Sequence, residues 1–486
     1  MLRPFAAAFS GKSLFPPIAS AAAEMTVCGR FRSMPYRWDY RQHAGLAWFV
    51  LKWLAISLPL GIVVGSAVAF FLWSLHAVTL LQWENPWLLY LLPLAGIASG
   101  LIYHYLGGDA EAGNNLIMEQ IHEPGGGVPL RMAPLVFIGT LITHLFGGSA
   151  GREGTAVQMG GSLAGGLARA LRLTSEETRI LLSAGIASGF GAVFGTPLTG
   201  AIFAVEVIAI GRMSYKAIIP CLMASVIGDQ VNAAWGIGHT HYHIGFAAEI
   251  SSSLSAVSLD WGLTGKVAIA ALFFGLASVL FAELTHGVSW AAKRLVPWPW
   301  LRPALGGCVV IALVWLLGQR DYLGLGVSAH PPGSGAICIE SCFQSGGADW
   351  FSWWWKLLFT AVTVGCGFKG GEVTPLFFIG AALGNVLAVL LGVPVDLLAG
   401  LGFVAVFAGA TNTPLACTIM AIELFGPGNG ELLSSGFVVY AAVACFLAYF
   451  LSGDSSIYHA QKREENEPPQ AVTEASRCAT DDSEQS

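Results

Sequence analysis

Gly151-Arg152-Glu153-Gly154-Thr155 and Gly370-Gly371-Glu372-Val373-Thr374-Pro375 each set a carboxylate among glycines inside strongly apolar sequence. A Thr-Pro-Leu step follows each of them, Thr196-Pro197-Leu198 after the first and Thr413-Pro414-Leu415 after the second, and each step leads to a glutamate, Glu206 or Glu423. The second Thr-Pro-Leu and its glutamate lie 217 residues beyond the first pair, and the leading motifs depart from that offset by two residues. Duplicated apolar halves, broken by Gly and Pro at matching places, point to a transporter whose site lies where the repeats meet.

Composition agrees with this direction. Of 486 residues, 55% are hydrophobic and 11% charged, against about 25% charged in an ordinary soluble domain. A mean hydropathy of +0.64, with 60 glycines and 16 tryptophans, fits an all-α polytopic membrane protein, because lipid offers no partner to a free amide. The apolar/polar alternation of a membrane β-barrel is missing. The net charge of −6 owes much to a polar tail, and no long basic run invites nucleic acid. The nine cysteines are an odd number and mostly scattered. Only Cys338 and Cys342 are close enough for a disulfide or half a metal site, and the other half is missing. Neither a metal nor a cofactor is expected.

Residues 1–44 read as a cytoplasmic leader, basic and without a long apolar core. Ala44–Leu81 exceeds the ~20 residues needed to span a bilayer and suits a tilted helix. Arg37 and Arg41 just before it favour a cytoplasmic N-terminus, and Trp87–Leu106 follows as a second span. The stretch Gly107–Pro134 is too broken for a spanning helix. Leu135–Phe146 and Leu198–Ile210 are too short to cross and read as half-helices, whose terminal amides must point at something. Thr174-Ser175-Glu176-Glu177 reads as a capping box, and longer spans are expected over 215–235, 262–290 and 303–318. Residues 45–318 thus hold the first repeat half and the spans after it, 319–350 a polar connector, 351–460 the second half, and 461–486 a disordered polar tail.

Glu153 is the leading functional candidate. A charge at this depth costs about 2.5–3.5 kcal/mol, so the group must be neutral, paired or facing water. Gly151 and Gly154 let amides converge on an anion, and Arg152 can neutralise a neighbour. The alternative is a buried ion pair that only positions helices. Pro375 suits the first turn of a helix, which puts Val373 and Thr374 at an N-terminus fit for an anion. A carboxylate there, Glu372, makes sense as a group that takes protons on and off; the alternative is N-cap duty for Thr374 and a solvent-facing Glu372. Gly113-Asn114-Asn115 would cap a half-helix aimed at the site, or simply close a turn. Glu206 and Glu423 read as structural groups near a membrane face. His239-Thr240-His241-Tyr242-His243 lacks metal-ligand company and reads as solvated loop, and His144 as a hydrogen-bonded histidine of the bundle.

These motifs resemble the CLC family of chloride channels and anion/proton antiporters over roughly residues 45–460. Gly151-Arg152-Glu153-Gly154 matches its G-R-E-G motif, whose Glu is the gating carboxylate; Phe194–Gly200 and Thr411–Leu415 resemble its paired Pro-Leu signatures. Three departures stand out. Gly113-Asn114-Asn115-Leu116 replaces G-S-G-I-P, Gly371-Glu372-Val373-Thr374-Pro375 replaces G-x-F-x-P, and Glu206-Val207 stands where exchangers carry Glu-Glu. Together they look like the fluoride/proton antiporter branch. The resemblance implies a CLC-type inverted-repeat bundle with half-helices meeting at a central anion site, and a homodimer with one ion path per subunit. Both termini would be cytoplasmic in a multi-pass inner-membrane protein. Asn114 would replace the central serine, Glu372 with Thr374 would handle protons and fluoride, and Tyr458 would line the site. The implied activity is fluoride export in exchange for protons, with no enzymatic reaction; a chloride/proton antiporter or passive chloride channel of the same fold is the alternative. Phe377, Phe378 and Phe407 are candidates to line the path.

Overall fold

A computed structural model describes residues 40–463 except 124, 212, 241, 246–259, 330–333 and 427–435. The leader up to residue 39 and the tail beyond 463, with the expected location of both termini, fall outside the described residues. From Val50 onward the chain forms one compact unit.

Sixteen helices carry the described chain. It opens with α1 (Tyr40–Glu84), a 45-residue helix that tolerates Pro59 and overruns the expected span at both ends. A 3₁₀ turn (Pro86–Leu91) leads into α2 (Leu92–Leu106). The broken region yields a 3₁₀ turn (Gly108–Ala112) and the short α3 (Asn114–His122). Next come α4 (Met132–Leu145), α5 (Glu153–Ala170), α6 (Ser175–Phe194), α7 (Pro197–Glu206) and α8 (Tyr215–Ala234). Two long helices follow, α9 (Trp261–Leu295) and α10 (Arg302–Leu317), and the connector holds the short α11 (Ile339–Cys342). The second half is α12 (Ser352–Gly365), α13 (Val373–Leu391), α14 (Val395–Thr411), α15 (Pro414–Phe425) and α16 (Phe437–Ser452). Among the described residues, six helical segments are long and apolar enough to cross a membrane. A two-residue parallel pair, β1 (Ala209–Ile210) with β2 (Lys462–Arg463), holds the first residues of the expected disordered tail against the segment after α7, so order extends to Arg463.

The halves correspond element by element: α4 to α8 match α12 to α16, and α4 and α12 are both 14 residues long. Close packing repeats as well. A Cβ on Gly160 would be driven into the backbone of Gly185, and one on Gly380 into that of Gly402. The α5–α6 and α13–α14 pairs therefore each meet through small residues, as membrane helices do where no hydrophobic force draws them together. At the start of α6, Thr174 and Glu177 form the expected capping box.

Glu206 and Glu423 cross between the halves. The Glu423 carboxylate accepts from the amides of Leu198 at 2.9 Å and Thr199 at 2.7 Å, and from the Thr199 hydroxyl at 2.6 Å. Glu206 does the same for Leu415 at 3.0 Å and Ala416 at 2.7 Å. Neither glutamate could serve its own helix, because α7, at 10 residues, puts its two ends about 15 Å apart. Each half thus caps the other's Thr-Pro-Leu helix, a job that Thr196 and Thr413 leave undone at the N-cap. Hydrogen bonds to a charged group are worth about 1.5–3 kcal/mol each. Glu423→Ala is therefore expected to lower stability by about 2–4 kcal/mol, read as an earlier thermal transition in detergent, with Glu423→Gln intermediate. An alanine variant that melts with the parent would remove the cap from the list of forces holding the halves together.

Candidate functional site

The two motif loops pair with each other. Gly151 and Gly371 form an isolated antiparallel bridge, in which the Gly371 amide donates to the Gly151 carbonyl at 2.7 Å and the Gly151 amide donates back to the Gly371 carbonyl. The loops are cross-braced from the opposite halves. The Thr143 hydroxyl of α4 donates to the Lys369 carbonyl at 2.6 Å, and the Ser149 amide donates to the Thr363 hydroxyl of α12 at 3.2 Å. His144, buried in α4, faces the carbonyls of Thr140 at 2.9 Å and Ala150 at 3.1 Å, so it holds the residue just ahead of Gly151. Its expected place in the bundle is what is observed, and its grip on the motif loop adds a role that a lone apolar-segment histidine does not announce.

This bridge brings the N-termini of α5 and α13 together, with Glu153 opening one helix and Val373, buried, opening the other. The Glu153 side chain is fully buried. Its Oε2 accepts from the amides of Arg152 at 3.0 Å and Thr374 at 3.1 Å, while Oε1 accepts from the Thr374 hydroxyl. The Arg152 Nε lies 3.7 Å from Oε1. Two helix N-termini with free amides and partial positive charge suit an anion, and here the chain's own carboxylate fills that place.

Asn114 approaches from a third helix. The N-cap of α3 is Gly113, at φ +60°, a conformation that favours glycine, so the expected Asn cap is corrected by one residue. Freed from capping, Asn114 reaches the site: its Nδ2 is 3.5 Å from where a Cβ on Gly154 would stand. Its buried Oδ1 has no hydrogen-bond partner among the described residues. Tyr458 is buried and within electrostatic reach of both Glu372 and Glu153. Its segment is laced down by the Ile457 amide on the Ala410 carbonyl at 3.0 Å and the Ala460 amide on Asn115 Oδ1 at 3.1 Å. Glu372 stands half-buried at the N-cap of α13; its carboxylate accepts no hydrogen bond recorded from a described residue. At the position after Glu206, the Val207 carbonyl accepts from Gln461 Nε2 at 3.0 Å.

The phenylalanines divide. Phe377 lines a cavity beside Glu153 together with Phe194 and Phe403, and stacks on Phe403 at 3.9 Å. Phe378 turns instead toward Tyr322 and the buried Lys356, while Phe407 packs edge-on against Phe377 at 5.4 Å and joins it to Phe190 and Phe203. The expected solvated histidine loop holds for His243, which is exposed, and not for His239. His239 is half-buried, and with Thr240 and Tyr242 it borders the same cavity as Glu153; His241 lies outside the described residues. Cys338 and Cys342 are free and buried, and Cys338 caps α11. No group of three His, Cys, Asp or Glu side chains among the described residues could hold a metal ion.

Comparison with known proteins places this geometry. The family model described as voltage gated chloride channel matches residues 94–453. A chloride/fluoride channel protein of Pseudomonas syringae pv. tomato is 49% identical over 414 residues, 85% of this chain and 87% of that protein. A voltage-gated ClC-type chloride channel of Escherichia coli is 25% identical over 442 residues, covering 83% of this chain and 97% of its own. Among solved structures, a CLC-type fluoride/proton antiporter superposes with a TM-score of 0.75 at 33% identity, over 85% of this chain and 98% of that one. A slow cyanobacterial chloride/proton antiporter shares the fold, with a TM-score of 0.65 at 19% identity over 82% and 94% of the two chains. A match across this much of the sequence, joined to the paired half-helices and the carboxylate between them, makes this chain a membrane anion transporter or channel belonging to the voltage-gated chloride channel family.

Proposed function

We propose that the protein is a fluoride/proton antiporter, and that it is a transporter rather than an enzyme. The observation that carries this reading is the Glu153 carboxylate seated among the donors of two opposed half-helices. A group that binds where an anion should bind must leave before the anion enters, and protonation is the step that weakens its hold. Alternation between a seated carboxylate and a displaced, protonated one couples the two ions. Fluoride holds its water strongly, so the site must replace that water with donors. The Thr374 amide and hydroxyl, the Arg152 amide and the Asn114 side chain are arranged to do so, with the amides at Gly154 and Val373 beside them and the Gly151 bridge fixing their spacing. Tyr458, buried and in electrostatic reach of Glu153, is a further candidate to donate its hydroxyl to the anion. Glu372, beside Tyr458, supplies a second proton-handling carboxylate that compensates for valine at position 207.

Arg37 and Arg41, ahead of the apolar stretch of α1, favour a cytoplasmic start by the positive-inside rule. Lys52 of α1 pairs with Glu177 at the head of α6, which supports a cytoplasmic location for that end of α6. The 20 residues of α6 rise about 30 Å, so the Gly195 end faces outward. In this orientation, inward proton movement drives fluoride out across the cell membrane, from a homodimer with one path per subunit. Chloride/proton exchange or passive chloride conduction on the same fold is the competing reading, favoured by the names of the chloride-channel relatives.

Ion efflux from proteoliposomes, fluoride against chloride with external pH recorded, decides between them. Fast fluoride release with matching proton uptake and chloride flux at least about tenfold lower is expected, a selectivity of about 1.4 kcal/mol. Comparable chloride flux would overturn the fluoride assignment and leave the family intact.

A further inference from the structure

The described residues that follow α8, up to Gly245, are held against the bundle beside Glu153. Tyr242 inserts its ring against Phe403 at 5.2 Å and Phe343 at 5.5 Å. Ile244 is buried, at the place where a Cβ on Gly400 would strike it, and the Gly245 amide donates to Asp396 at 2.7 Å. His239 lies over Gly195, where a Cβ would come within 2.6 Å of its ring. These anchors come from α14, from Phe343 just after α11 and from Gly195 at the end of α6, so the histidine's place is set by the bundle and not by the loop.

Its hydrogen bonding is oriented too. Asn232 of α8 donates from Nδ2 to the Ala192 carbonyl at 2.9 Å, and the same nitrogen faces His239 Nε2 at 3.3 Å. The Ala192 contact settles which way the amide points, so His239 Nε2 is the acceptor and the neutral ring carries its proton on Nδ1. The Asn232 oxygen is buried without a hydrogen-bond partner. Turning that amide would offer an acceptor to an imidazolium, at the cost of the Ala192 bond.

Between this histidine and Glu153 lies a cavity of about 20 Å³, bordered by His239, Thr240, Tyr242, Arg152, Glu153 and Thr374. That is room for one water with polar partners on several sides. The charged and titratable groups around it are Glu153 and Arg152 from the start of α5 and Tyr242 from the same segment as His239, with Glu340 in electrostatic reach of Tyr242.

We propose that His239 passes protons between the solution on its face of the membrane and Glu153. A hydronium ion gives its proton to the neutral ring. The imidazolium then protonates a water in the cavity, that water protonates the Glu153 carboxylate, and the ring returns to its neutral form. One proton moves, and no bonds change other than the N–H and O–H bonds of the relay. Histidine is the residue type that titrates between pH 5 and 8, the range in which an outward-facing proton acceptor is useful. This inference rests on the proton-coupled reading of Glu153.

The test compares parent and His239→Gln in proteoliposomes, measuring fluoride-coupled proton flux while pH on the His239 face is varied, with fluoride binding measured separately by calorimetry. Glutamine can still accept from Asn232 but carries no proton. General acid–base groups contribute factors of about 10²–10⁴, and with water as a substitute route the expected loss is about 10–100-fold. The rise in parent flux from pH 8 to pH 5 on that face should vanish, and fluoride affinity should stay within about twofold. Asn232→Asp supplies an acceptor to the imidazolium and should move the pH profile to higher pH, which gives a second reading should the glutamine variant not fold. A glutamine variant with parental flux and profile overturns the relay, as does one that loses fluoride affinity together with flux, or an aspartate variant whose profile does not move. A parent protein that moves fluoride without protons overturns the antiporter reading and this relay together; a coupled parent with an unaffected variant overturns the relay alone.

Discussion

Replacing Glu153 by glutamine is expected to reduce fluoride-coupled proton movement at least ~100-fold, to the background of the membrane itself. Two physical losses combine. The amide cannot ionise, so no proton can be carried through this position. It also fits the seat badly. The carboxylate receives the Arg152 and Thr374 amides on one oxygen and the Thr374 hydroxyl on the other. A glutamine has one acceptor oxygen and must turn its NH₂ group toward at least one of those donors. Hydrogen bonds to a charged group are worth about 1.5–3 kcal/mol each, so the glutamine side chain should leave the seat and free it for anions. Proton flux should therefore collapse while fluoride occupancy, measured by calorimetry, holds or rises. A variant that still pumped protons against a fluoride gradient would take the coupling role from Glu153 and leave Glu372 as the remaining intramembrane carboxylate of the paired motifs.

The likeness of these two motifs was legible before any fold was known, because both set a carboxylate beside glycines in apolar sequence; the structure sets the two out of register, with Glu153 the first residue of α5 and Glu372 the N-cap of α13. The half-helices were legible for a similar reason: α4 and α7, at 14 and 10 residues, are too short to cross a bilayer upright, and their sequence boundaries say so. Tertiary relations were not. Nothing local to Glu423 shows that its partners are the amides of Leu198 and Thr199, more than two hundred residues away. The equal spacing of both Thr-Pro-Leu steps and both glutamates was the available signal, since a two-fold relation makes a reciprocal exchange possible. Asn114 was picked out by its motif but misread as a cap, because the choice between Gly113 and Asn114 turns on one backbone angle. His239 was set aside because a loop histidine without metal-ligand neighbours is ordinarily solvated. Its burial depends on Gly195 and Asn232, which belong to other helices.

The antiparallel bridge between the motif loops yields the other large effect. Gly371→Ala is expected to cut fluoride transport at least ~100-fold per folded molecule, the loss that a misplacement of about 1 Å produces at a site built on geometry. A Cβ at Gly371 would stand 2.8 Å from the Gly154 nitrogen, 3.0 Å from that of Glu153 and 3.2 Å from that of Arg152. All three are backbone atoms at the start of α5, so no side chain can turn aside to make room. The loops must separate, which breaks the bond from the Gly371 amide to the Gly151 carbonyl and carries the Thr374 donors away from Glu153. Overpacking of this kind costs about 1–3 kcal/mol, small enough for the protein to fold and be assayed. Gly265→Ala is the control, because a Cβ there meets nothing within 4 Å and alanine favours the helix by about 1 kcal/mol. Gly154→Ala should fall between them, since its Cβ would first meet the Gly371 Cα at 3.1 Å. Flux that declines in the order Gly265→Ala, Gly154→Ala, Gly371→Ala, with thermal transitions changing far less, makes loop spacing the quantity that sets transport. If Gly371→Ala transported within about twofold of the parent, less than 0.5 kcal/mol, the donors around the anion would have to be positioned by something other than this bridge.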